Sequence, residues 1–124
     1  MLTKVGTLDN PLRIAVFFSG TGTGMDALLK HQGNAQCIHK TVLCVTDKKD
    51  AGGIHYAEQH NVPVLIEPLD ASLPRDERRR EHEQRITKQL DEADIDLIVL
   101  SGYMRLLSPD FVEKYFPRII NIHP

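Results

Sequence analysis

Residues 13–24 read RIAVFFSGTGTG, a continuous apolar run that ends in a turn with glycines at alternate positions. An uninterrupted apolar run bounded by turn residues is typical of a strand buried on both faces of a parallel sheet. Met25, Leu28 and Leu29 then recur at helical spacing, and Asp26 lies in the first turn, where a carboxylate complements the helix dipole. The stretch therefore predicts a strand, a glycine-rich turn and a helix.

The same alternation of strand and helix continues along the chain. Further strands are predicted at 41–46, 63–66, 96–101 and 118–122, and further helices at 51–60, 75–93 and 109–116. Such alternation specifies one Rossmann-like α/β domain over 1–124, a three-layer sandwich with a mainly parallel, doubly wound sheet. The strand order 3-2-1-4-5 fits best and places a crevice between the carboxyl ends of the first and fourth strands. Residues 1–12 are expected to be a loosely held arm.

Composition limits the classes of function. The chain has 124 residues, a net charge of −2 and 41% hydrophobic residues, as expected for one soluble domain. Neither a nucleic acid nor a membrane is an expected partner, since there is no basic excess and no apolar run near the ~20 residues of a membrane helix. Residues 1–10 lack the layout of a signal peptide. We expect a cytoplasmic protein, either a monomer or a homodimer, with small-molecule partners.

The cysteines and histidines give no sequence signal for a metal or a nucleophile. Cys37 and Cys44 are seven residues apart without a CxxC pair, and both are expected to be reduced and packed. Histidines 31, 39, 55, 60 and 82 show no metal-ligand spacing, so we expect no metal site.

The glycine turn at positions 20, 22 and 24 leaves backbone amides bare at a helix N-terminus, which suits a phosphate group. Thr21 and Thr23 add hydroxyl donors. A tight turn that needs positive φ and binds no ligand is one alternative. Another is a nicotinamide enzyme, because residues 22–27 match the dinucleotide fingerprint GxGxxA and Asp47 could hold a ribose.

Two other segments offer binding groups. The loop 102–107 combines Met104, Leu106 and Leu107 with backbone amides, which suits a flat aromatic ligand, although at least one of these side chains must pack in the core. The arginine-rich segment 75–85 is better interpreted as a solvated helix face, because acidic residues balance its charge. A single arginine could still reach the crevice.

Asn121 and His123 lie at the end of the last predicted strand and share one parity, so they leave its end together, provided that Ile119, Ile120 and Ile122 form a buried strand. An amide donor beside a titratable imidazole suits polarising a carbonyl group and moving a proton. The alternative is a pair of polar residues that caps a loop.

Four segments together resemble the glycinamide ribonucleotide formyltransferases of the folate-dependent formyltransferase superfamily. They are FSGTGT at 18–23, TDKKDA at 46–51, LSGYMRLLSP at 100–109 and INIHP at 120–124. The resemblance runs from about Arg13 to Pro124 and covers the N-terminal portion of the family domain. It implies transfer of a formyl group from 10-formyltetrahydrofolate, the co-substrate, to the amine of glycinamide ribonucleotide in de novo purine biosynthesis.

The resemblance also implies roles for individual residues. The ribonucleotide phosphate would lie on the turn formed by Gly22, Thr23, Gly24 and Met25. The folate would contact Arg79, Asn121 and the loop residues Met104, Arg105, Leu106 and Leu107. Asn121 would donate to the formyl oxygen as it becomes an oxyanion, and His123 would act as general acid.

The chain departs from the family pattern in two places. The family turn usually carries asparagines where Thr21 and Gly24 stand here, and the family continues past His-Pro to a catalytic aspartate. We therefore expect an incomplete portion that is weakly active or inactive. Alternatives are a formyltetrahydrofolate deformylase-like hydrolase, an NAD-binding oxidoreductase and a non-catalytic nucleotide-binding fragment.

Overall fold

The computed structural model describes residues 4–122, so the predicted catalytic residue His123 lies outside the described residues. Over these described residues the chain alternates five strands with four helices. In order these are β1 (Leu12–Phe18), α1 (Thr23–Gln32), β2 (His39–Thr46), α2 (Ile54–Gln59), β3 (Val64–Ile66), α3 (Arg75–Glu92), β4 (Leu97–Ser101), α4 (Pro109–Tyr115) and β5 (Ile119–Ile122).

The five strands form one parallel sheet in the order β3-β2-β1-β4-β5. This confirms the predicted doubly wound topology. The central strand β1 has neighbours on both sides, so that Val16 is paired with Cys44 of β2 and with Val99 of β4. Residues 15–18 are fully buried, which explains why this strand is apolar without alternation.

Helices cover both faces of the sheet. Met25 and Leu29 of α1 and Ala57 of α2 pack with Val16 on one face. On the other face the next β1 residue, Phe17, packs against α3 and α4. The helix residues involved are Ile86, Leu90, Phe111 and Tyr115. Because successive strand residues point to opposite faces, one apolar strand supplies both cores. The predicted three-layer sandwich is confirmed.

The helices begin close to their predicted positions. The structure starts α1 at Thr23, two residues before Met25, and α2 at Ile54, after the Gly52-Gly53 pair that weakens a helix start. In α4 the predicted N-cap is present, since the Ser108 hydroxyl accepts a hydrogen bond from the Phe111 N–H at 3.1 Å. No helix within residues 4–122 is long and apolar enough to cross a membrane.

The segment before β1 is held more firmly than we expected. The Lys4 ammonium lies 2.6 Å from the Asp96 carboxylate, which also accepts a hydrogen bond from the Arg13 backbone N–H at 2.9 Å. Gly6 is buried, and a Cβ placed there would lie 2.3 Å from the Ile38 carbonyl oxygen. Over residues 4–12 the arm is therefore attached to the amino ends of β1 and β4.

The last strand is less buried than its isoleucines suggest. Ile119 packs against the core on the α3 and α4 face, but Ile120 is 48% and Ile122 is 42% exposed. The expectation of a buried strand is wrong for these two residues. Within the described chain β5 has β4 as its one neighbouring strand, so it forms an edge of the sheet.

Candidate active site

The turns that leave β1, β2 and β4 meet at the carboxyl end of the sheet. The Ser19 N–H donates to the Gly102 carbonyl oxygen at 3.3 Å, and the Met104 N–H donates to the Ser19 hydroxyl oxygen at 2.8 Å. The glycine turn and the loop after β4 are thus joined directly, at the place where doubly wound sheets bind ligands.

Gly22 is a glycine for two separate reasons. Its φ of 74° lies in the left-handed region, where a side chain is strained. A Cβ at this position would also lie 2.6 Å from the Cα of Gly53, and a Cβ at Gly53 would lie 2.7 Å from the ring of Phe18. The turn is therefore packed backbone against backbone on the start of α2.

Helix α1 begins with backbone N–H groups that no side chain caps. Gly22 is the N-cap and has no side chain to accept from them, and the Asp26 N–H makes the first intrahelical bond, to the Gly22 carbonyl at 2.8 Å. The N–H groups of Thr23, Gly24 and Met25 precede that bond and point out of the helix end. Met25 is fully buried, so it can offer a ligand only its backbone. A Cβ on Gly24 would lie 2.9 Å from the Ser101 hydroxyl at the end of β4.

A buried carboxylate connects the three turns. Asp47 is only 3% exposed. One carboxylate oxygen accepts from the Ser19 hydroxyl at 2.7 Å, and the other accepts from the Arg105 Nε–H at 2.7 Å. Since Ser19 also accepts from the Met104 amide, Asp47 holds the loop after β4 through both a side chain and the backbone. We call this arrangement the Ser19–Asp47–Arg105 network.

A cavity of about 380 Å³ lies beside this network, between α3 and the loop after β4. It brings together four of the residues predicted to contact a folate: Arg79, Arg105, Leu106 and Leu107. Leu107 also packs against the core, as expected for at least one apolar residue of this loop. Leu106 is 79% exposed and offers an apolar surface. Met104 is 75% exposed and is not among the lining residues.

The α3 side of the cavity is lined by three arginines and two acidic residues, so it carries a small excess of positive charge. Arg78 donates to the Leu73 carbonyl at 3.0 Å, and Arg105 is paired with Asp47. Arg79 makes no ion pair within residues 4–122, so its charge is available to an anionic ligand. Burial lowers the pKa of His82 at the cavity wall, and its imidazole is therefore neutral near pH 7.

Asn121 lies on the same face of the sheet as the cavity. It is paired with Leu100 of β4 and is exposed. Ile119, two residues earlier and so on the same side of the strand, packs towards α3 and α4. The register therefore places the amide on the cavity face, at the carboxyl end of the sheet.

Two functional features were missed from the sequence. The first is the close approach of Gly53 to Gly22, for which a glycine pair in the loop after β2 is the one sequence signal. The second is the pair of contacts from Asp47 to Ser19 and to Arg105. No local sequence pattern indicates them, because the partners are 28 and 58 residues apart in sequence.

Residues 12–124 match the family model described as Formyl transferase. The chain is 34% identical over 115 residues to the trifunctional purine biosynthetic protein adenosine-3 of Gallus gallus, covering 93% of this chain and 11% of that protein. It is 32% identical over 121 residues to the chloroplastic phosphoribosylglycinamide formyltransferase of Arabidopsis thaliana, covering 96% of this chain and 40% of that protein.

A solved structure shares the fold. The phosphoribosylglycinamide formyltransferase of Brucella melitensis superposes with a TM-score of 0.83 at 35% identity, over 92% of this chain and 57% of that chain. This chain thus spans less than two thirds of each of these relatives. The family model nevertheless matches it from β1 onwards, and the chain belongs to the formyl transferase family.

Proposed function

We propose that this chain provides the ribonucleotide-binding turn and the folate cavity of a phosphoribosylglycinamide formyltransferase. Such an enzyme passes the formyl group of 10-formyltetrahydrofolate to the amine of glycinamide ribonucleotide in de novo purine biosynthesis. The observation that carries the proposal is the hydrogen-bonded junction of the bare glycine turn with the loop after β4, through Ser19. It brings an anion site and an apolar cavity to one end of the sheet, as a two-substrate reaction requires.

The glycine turn would hold the phosphate of the ribonucleotide. Three N–H groups at the start of α1 supply donors, and the positive end of the helix dipole favours a dianion. The lack of a side chain at Gly24 leaves the approach to these amides open, next to the Ser101 hydroxyl. Phosphate contacts would be made mainly by backbone, which fits the departure from the asparagines of the family turn.

The cavity would hold the folate. Its volume of about 380 Å³ lies in the lower range for small-molecule sites, and Leu106 and Leu107 give it an apolar wall. Backbone amides of the loop after β4 can pair with the polar edge of a pterin ring. Arg79 supplies a cation for a folate carboxylate.

The chemistry would take place between these two ligands. The amine of the ribonucleotide attacks the formyl carbon and gives up a proton, while the formyl oxygen gains negative charge. As the carbonyl re-forms, the bond from the formyl carbon to the folate nitrogen breaks and that nitrogen takes up a proton. Asn121 would donate to that oxygen, a contact of the kind worth about 2.7–4 kcal/mol in other acyl transfers. His123, outside the described residues, would supply the proton.

The bonds of Asp47 weigh against a nicotinamide enzyme. That alternative needs the Asp47 carboxylate for a ribose, yet both of its oxygens are engaged by Ser19 and Arg105 below the surface. A deformylase would share the folate cavity but has no need of a ribonucleotide phosphate. The bare turn therefore favours the transferase.

Calorimetric titration tests the proposal with three ligands: glycinamide ribonucleotide, a non-reactive analogue of formyl folate, and NAD. We expect the ribonucleotide and the folate analogue each to bind one per chain, and NAD not to bind. NAD binding without ribonucleotide binding would contradict the assignment. Binding of the folate analogue alone would favour the hydrolytic alternative.

A further inference from the structure

Two histidines and a cysteine come together at the end of the sheet opposite the candidate active site. One ligating atom from each of His31, Cys37 and His39 lies within 4.8 Å of the others. We propose that these three side chains, the His31–Cys37–His39 cluster, bind a zinc ion. The sequence-based expectation of no metal site did not anticipate this arrangement.

The fold builds the cluster from one helix end and one strand start. His31 lies in the last turn of α1, and His39 is the first residue of β2. The connecting loop is held by its own hydrogen bonds, from the Cys37 N–H to the Asn34 carbonyl at 3.0 Å and from the Gln36 N–H to the Asn34 side chain at 2.8 Å. Cys37 is thereby placed beside both rings before any metal binds.

The donor set selects the type of metal. Two imidazoles and a thiol are the ligands that zinc prefers, whereas calcium and magnesium need oxygen ligands. Three protein ligands leave one tetrahedral position for a water molecule or another small ligand. The site is therefore of the open type rather than a closed structural centre.

Binding requires only a small rearrangement. In a tetrahedral zinc site with ordinary bond lengths the ligand atoms lie about 3.5 Å apart, so no pair of ligand atoms in the cluster must approach by more than about 1.3 Å. His31 is exposed and can move. The contact between the Gln32 amide and the His39 Nδ1, at 3.0 Å, is kept when His39 binds the metal through Nε2 and is exchanged when it binds through Nδ1. The Cys37 thiol, which donates to the His39 carbonyl, must lose its proton. Zinc affinity will therefore fall as the pH is lowered.

The two cysteines should respond differently. Cys37 is partly exposed, whereas Cys44 is fully buried on β2 and burial raises the pKa of its thiol to about 12. A thiol reagent should thus modify Cys37 alone in the folded protein. Protection of that one thiol by zinc gives a readout that does not depend on enzymatic activity.

The test is a titration of the metal-free chain with Zn²⁺ alone, followed by calorimetry and by the rate of Cys37 modification with Ellman's reagent. We expect one Zn²⁺ per chain and at least about tenfold slower modification when zinc is bound. Cys37→Ser and His31→Asn should each weaken the affinity at least about tenfold, since even the loss of an outer-shell partner costs 10–100-fold. His55→Asn, at an exposed histidine outside the cluster, is the matched control and should bind zinc as the unmodified chain does.

Three results would overturn the proposal. They are the absence of one-to-one zinc binding, an affinity unchanged in His31→Asn, and zinc binding that leaves the reaction of Cys37 unaffected. His31 is exposed, so this variant keeps the fold and its result remains interpretable. The cluster lies at the amino end of β2, away from the candidate active site, and the proposal does not rest on the proposed function.

Discussion

Gly22→Ala should lower the free energy of unfolding by at least about 2 kcal/mol and abolish binding of glycinamide ribonucleotide. An L-residue in the left-handed region costs about 1–2 kcal/mol. The added Cβ would also lie 2.6 Å from the Cα of Gly53, so the backbone itself must move. A displaced glycine turn would no longer direct the first backbone N–H groups of α1 towards the phosphate.

Variants of two other glycines distinguish the effect of backbone strain from that of the close contact between Gly22 and Gly53. A Cβ on Gly102 meets open space but has a φ of 71°, so Gly102→Ala should cost about 1 kcal/mol from strain alone. A Cβ on Gly20 also meets open space, with no positive φ, so Gly20→Ala should change stability by less than about 0.5 kcal/mol. Urea denaturation measures the free energy of unfolding of each variant, and calorimetry measures its affinity for glycinamide ribonucleotide. Equal effects of Gly22→Ala and Gly20→Ala would refute this account of the turn.

Asp47→Ala should lower the free energy of unfolding by about 2–3 kcal/mol and weaken folate binding at least about tenfold. The change removes a charge-assisted bond to Arg105 and leaves the buried Ser19 hydroxyl without its acceptor. The full cost of breaking a buried pair, about 3–5 kcal/mol, does not apply because Arg105 is half exposed and can be rehydrated. Folate affinity falls because Arg105 loses its partner and the Ser19 hydroxyl, which accepts from the Met104 amide, is no longer held in place by Asp47.

Conservative and distant variants identify the source of the effect. Asp47→Asn keeps an acceptor for Ser19 but removes the charge beside Arg105, so its effect should be smaller than that of Asp47→Ala. Asp50→Ala removes an exposed carboxylate from the same loop and should be nearly neutral. A double-mutant cycle of Asp47→Ala with Arg105→Ala measures the coupling. Strictly additive losses in that cycle would show that the pair does not hold the loop.

The architecture could be predicted from local patterns. The apolar runs at β1, β2 and β4, each followed by a polar or glycine-rich turn, determine the strands, and alternation with helices determines the parallel topology. What local patterns could not predict is which surfaces remain uncovered. Ile120 and Ile122 resemble core residues in sequence, and their exposure follows from the position of β5 at the edge of the described sheet.

The candidate site could be predicted only in part. The glycine turn and the loop 102–107 have their own spacing signals, and the fold brings them together. The Ser19–Asp47–Arg105 network and the His31–Cys37–His39 cluster join residues from different elements. The cluster was missed because metal-ligand spacings describe known motifs, whereas His31 and His39 meet across the turn from α1 to β2.

Mapping of backbone amide shifts by NMR is the most direct test that this chain provides two adjoining substrate sites. With glycinamide ribonucleotide, we expect the largest shifts at residues 20–25. With a non-reactive analogue of formyl folate, we expect the largest shifts at 104–107 and around Arg79, and little change near His31 for either ligand. Shifts confined to other parts of the chain, or ribonucleotide shifts that bypass the glycine turn, would contradict the account.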